Sequence, residues 1–99
     1  MYMKITINDR VHSKYGGGSG KIRREFWLIK RFIKNGMVIS NRLGNATKPD
    51  DIVKIELFSK TKITPRAPKD KIMFKIKRIE KRSIPNSNQI SYVYTELME

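Results

Sequence analysis

Residues 1–8 alternate, with Met3, Ile5 and Ile7 on one side and Tyr2, Lys4 and Thr6 on the other. A period of two predicts a strand with one buried face. Asp9 and Arg10 open a less regular stretch that leads into Gly16-Gly17-Gly18-Ser19-Gly20, which holds four of the six glycines. Residues 15–20 therefore read as a flexible Gly-rich connection, and their composition is also that of an engineered linker. Over residues 21–35 the period changes. Ile22, Phe26, Ile29, Phe32 and Ile33 recur at spacings of three and four, and Asn35-Gly36 supplies a stop, the pattern of an amphipathic helix.

Residues 37–40 read as a short strand, and residues 41–51 as a long polar hairpin loop with Gly44, Asn45 and Pro49 as its turn residues. Residues 52–64 alternate again, Val53, Ile55 and Leu57 facing inward and Lys54, Glu56, Lys60 and Lys62 outward, until Pro65-Arg66-Ala67-Pro68 breaks the run. In residues 71–82, Ile72, Phe74 and Ile76 share a face but Ile79 has the opposite parity, so a bulge near Lys77 and Arg78 is needed to bring it inward. Pro85-Asn86-Ser87-Asn88 forms the next turn, and residues 90–97 form a last strand carrying Tyr92, Val93 and Tyr94. One helix among strands joined by turns predicts an α+β fold, an antiparallel β-sheet meander with one amphipathic α-helix packed on one face. At 99 residues the chain fits a single domain over 1–99. Long ribbons of this kind need cover, which favours a homodimer through a sheet edge or the outer face.

Charge changes this picture most. The chain carries 22 Lys and Arg against 9 Asp and Glu, a net +13. Residues 21–34 hold six bases and one acid, residues 54–82 eleven bases and three acids, and the remainder five of each, so the whole excess sits in two segments. Such an excess favours a polyanionic partner. On a helical wheel of about 100° per residue, Ile22, Phe26, Ile29, Phe32 and Ile33 fall in one arc facing the sheet. Arg23, Arg24, Lys30, Arg31 and Lys34 collect on the far side, with Trp27 among them. Cations attract phosphates and an aromatic ring stacks on an unpaired base, so this face suits nucleic acid. A second patch is expected from Lys71, Lys75 and Lys77, with Lys54, Lys60 and Lys62 on a neighbouring strand. Each feature has a plainer reading: Trp27 buried in a dimer under Arg stems, outward lysines that only solubilise a sheet, and Tyr92 and Tyr94 as ordinary strand residues rather than a stacking platform.

Other chemistry finds little support. With no cysteine and a single histidine, His12, thiolate chemistry and Cys- or His-cluster metal sites are excluded, and no cofactor is implied. Residues 16–21 lack the first Gly and the Ser or Thr after Lys21 that a phosphate-binding loop of nucleotide triphosphatases needs. Ser19 is expected to cap the helix instead. Asp50, Asp51 and Glu56 lack the acid-x-Lys of metal-dependent nucleases, so the two aspartates are expected to shape a turn, and a lone His12 near Asp9 makes a poor general base. The chain is therefore expected not to be an enzyme. It shows neither a signal peptide nor a membrane span, which predicts a soluble cytoplasmic protein. In its overall look it is loosely similar to small, uncharacterised basic proteins encoded by filamentous viruses of hyperthermophilic archaea. That resemblance implies an orphan fold, high thermal and acid stability, a dimer, and location in a host cytoplasm; it transfers no functional residue.

Overall fold

A computed structural model of the chain describes residues 1–39, 43, 46–59, 67–83 and 90–98. Among the described residues six strands form one antiparallel sheet: β1 (Tyr2–Ile7), β2 (Arg10–Gly16), β3 (Met37–Ile39), β4 (Ile52–Phe58), β5 (Asp70–Arg82) and β6 (Ile90–Leu97), in the spatial order β2-β1-β4-β5-β6-β3, so β3 pairs with β6 and does not form the expected hairpin with β4. Helix α1 (Ser19–Lys34) packs against β1, β3 and β6. The α+β architecture expected from the alternation is the one found.

Register decides which side each residue faces. Ile5 lies opposite Ile55 and Ile7 opposite Val53, while Val53 and Ile55 lie opposite Phe74 and Ile72 of β5. These residues therefore share one face, and Ile22, Phe26 and Ile33 of α1 join them in a common buried cluster. Phe26, Ile33, Val53, Ile55, Phe74, Ile76 and Val93 are fully buried. Each such side chain contributes about 1.5–3 kcal/mol, so the helix is held mainly by three anchors. Phe32, expected in the same arc, is instead 40% exposed. It lies at the edge of the apolar arc, about 80° from Ile22 on the wheel, beyond the part of the helix that the sheet covers. Ile29 packs on the cluster without being fully covered.

Both departures from regular alternation are bulges. On β5 the register shifts between Ile76 and Arg78, leaving Lys77 unpaired and restoring Ile79 opposite Val93 on the core side, as its parity required. On β2 the shift skips His12. This second strand is absent from the alternation pattern, because its inward positions are only half-buried and one of them is Ser13. It pairs with β1 through the tight turn Asn8–Asp9, whose φ values of 49° and 66° are those of the left-handed region that a two-residue hairpin demands. The Asn8 side chain donates to Asp51 (2.8 Å) and accepts from the Ile52 amide (2.9 Å), tying the hairpin to the start of β4. Asp51 also accepts from the Lys48 amide, and Asp50 sits at φ 75°, so both aspartates shape the turn as expected.

The helix begins without the expected Ser19 cap. Ser19 is already helical, the N-cap is Gly18, and no side chain caps the first turn. Only Gly17 and Gly18 separate β2 from α1, since Gly16 closes the strand and Gly20 lies inside the helix. At the other end Gly36, at φ 79°, ends α1, and its carbonyl accepts from the Thr95 amide at 2.9 Å. The loop residues Gly44 and Asn45, the outward Lys60 and Lys62, the break at residues 65–66 and the turn at residues 85–88 lie outside the described residues. No described helix is long and apolar enough to cross a membrane.

Candidate nucleic-acid interface

Helical geometry puts residues three and four apart side by side, so Trp27 has Arg23 and Arg24 one turn before it and Lys30 and Arg31 one turn after. With Ile22, Phe26 and Ile33 pinned to the sheet, this group must point away from the core. Arg23, Arg24, Arg31 and Lys34 are exposed, and Trp27 is 68% exposed. Lys30 differs from them. It is half-buried on the flank of the helix, and its ammonium meets Asp70 of β5 at 2.9 Å. Among the described residues the other cations of this face form no ion pair. The first turn holds no acid, whereas Arg31 and Lys34 in the last turn complement the helix dipole. Leu28 (47% exposed) and Phe32 stand beside this face one turn apart, an apolar strip that the wheel had assigned in part to the core.

The second patch faces the opposite way. Lys71 and Lys75 lie opposite Glu56 and Ile52, on the face of the sheet that carries no helix. Lys77, at the bulge, pairs with Glu96 at 3.8 Å. The two basic segments therefore diverge across the sheet instead of meeting in one groove. Lys54 and Lys4 on this same face flank the buried Glu56 carboxylate at 3.7 and 3.8 Å, so their charge is largely used internally.

The β5–β6 end of this bare face carries Tyr92 and Tyr94, the pair whose spacing also suits a stacking platform. After the bulge, Arg78, Glu80 and Arg82 alternate onto it, opposite Tyr94, Tyr92 and Ile90 of β6. The Arg78 guanidinium lies 4.0 Å above the centroid of Tyr94, and that of Arg82 lies 5.0 Å above Tyr92. Glu80 stands between the two, 3.3 Å from Arg78 and 3.4 Å from Arg82. The signal for this ladder was the bulge itself: once Ile79 is turned inward, Arg78 and Arg82 must turn outward.

The acids weighed for catalysis are committed elsewhere, Asp51 to the turn and Glu56 to its lysines, and His12 is an exposed bulge residue. No group of three or more acidic or histidine side chains able to hold a metal occurs among the described residues. The chain matches no protein-family model, no curated protein and no solved structure.

Proposed function

We propose that this protein is a non-enzymatic nucleic-acid-binding domain that engages its ligand through the outer face of α1. The observation that carries the reading is an exposed Trp27 ringed by Arg23, Arg24, Arg31 and Lys34, with Lys30 at the flank. The cations supply sequence-independent attraction to phosphates, and the indole offers a stacking surface to a base. Lys71, Lys75 and Lys77 add cations on the opposite face.

Binding is expected to be electrostatic and weakly selective. Affinity for DNA or RNA should fall steeply as salt rises, and failure to bind either at low salt overturns the reading. Trp27→Ala should cost about 1–3 kcal/mol on a single strand and less on a duplex; equal losses would remove stacking from the account.

A second reading is a structural or interaction protein that dimerises through this helix. Leu28 and Phe32 favour it, because they extend the apolar surface beside Trp27. Sedimentation of the purified protein separates the two. A tight dimer with Trp27 shielded supports an interface, and a monomer with Trp27 accessible supports nucleic-acid binding.

A further inference from the structure

The bare face of the sheet holds cations and aromatic rings in an order that the helix-face reading does not use. β5 runs for 13 residues, roughly 40 Å of extended chain, and presents Lys71, Lys75, Arg78 and Arg82 in succession on this face. The last two are positioned rather than loose. Each guanidinium rests over a tyrosine, and Glu80 holds both from the side. A guanidinium has five N–H donors in one plane, so Glu80 engages only part of the donor set of each arginine. Both arginine side chains keep more than half of their surface exposed, at 63% and 64%.

We propose that this face is a second nucleic-acid site, taking a single strand whose bases stack on Arg78 and Arg82 while Lys71 and Lys75 meet its phosphates. One molecule then holds two strands back to back, one on α1 and one on the sheet. The inference rests on the helix-face reading for its other half. Two observations favour a single strand: the tyrosines sit two residues apart along one strand of a sheet, and each already backs an arginine. Bases stack readily on arginine planes as well as on aromatic rings. Charge complementarity selects a polyanion over a second copy of this chain, which would bring +13 against +13.

Trp27 is the only tryptophan, so its emission reports the helix face alone. Short oligo-dT, too short to wrap both faces, is titrated into the purified protein at low salt while anisotropy of a dye on the strand follows total binding per chain. The expected result is about two strands per protein by anisotropy, with Trp27 quenching complete after only one of them. In a companion assay, a bead-bound strand should capture a labelled free strand through the protein. Arg78→Gln with Arg82→Gln should reduce that capture at least about tenfold while the protein still binds one strand and melts as before. A stoichiometry of one strand, or undiminished capture by the doubly substituted protein, overturns the second site and leaves the helix-face reading standing. Absence of any binding, or anisotropy change with no Trp27 quenching, removes the helix-face reading instead.

Discussion

The outer face of α1 and the bare face of the sheet carry the same sign of charge but hold it differently. On the helix, Arg23, Arg24, Arg31 and Lys34 point into solvent with no ion-pair partner among the described residues, around a bare indole. On the sheet, Arg78 and Arg82 are each braced by a ring and a shared carboxylate, and Lys77 faces Glu96. Unpaired cations on long stems give attraction without a fixed geometry, so their contribution is screened readily by salt. Braced cations lose less side-chain freedom on contact, so they favour a ligand of matching shape. Net charge alone would not separate these two behaviours; the neighbours of each cation do.

The largest expected effect falls on what both faces share. Phe26 is fully buried between α1 and the sheet, so Phe26→Ala should lower unfolding stability by about 3–5 kcal/mol, measured by urea titration. Loss of under about 1 kcal/mol would mean that the helix is not seated by this anchor, and the opposition of the two faces would lose its basis. Next, Arg23→Glu, Arg24→Glu and Arg31→Glu together should weaken binding at low salt by roughly a hundredfold and flatten the salt dependence on duplex by about 0.9 per lost phosphate contact. An equal loss in Arg78→Gln with Arg82→Gln would erase the distinction between loose and braced charge. The smallest effect concerns Lys30. Asp70→Asn should change stability by less than about 1 kcal/mol, because the pair is part-exposed, yet tighten binding by roughly two- to threefold by freeing a cation. Unchanged affinity would place Lys30 outside the site.

What could be read in advance was whatever a local period records. The helix, the core alternation of β1, β4 and β5 and the bulge that returns Ile79 inward all follow from spacing. β2 escaped notice because an edge strand with Ser13 inward and His12 bulged has no apolar rhythm; its marker was the Asn8-Asp9 pair, both suited to positive φ. Phe32 was misplaced because a wheel gives direction but not how much of an arc the sheet covers. Ser19 was misplaced as a cap because the glycines before it let the helix start one residue earlier. The opposition of the two basic segments, and the Arg78–Tyr94 and Arg82–Tyr92 stacks, depend on long-range strand pairing, which residue spacing within either segment does not encode.

The central claim is that nucleic acid meets the exposed Trp27 face, and the emission of that single tryptophan tests it most directly. Saturating the protein with single-stranded DNA or RNA at low salt should quench Trp27, and added salt should restore the emission in step with dissociation. Unaltered emission from a protein shown to be fully bound would contradict the account.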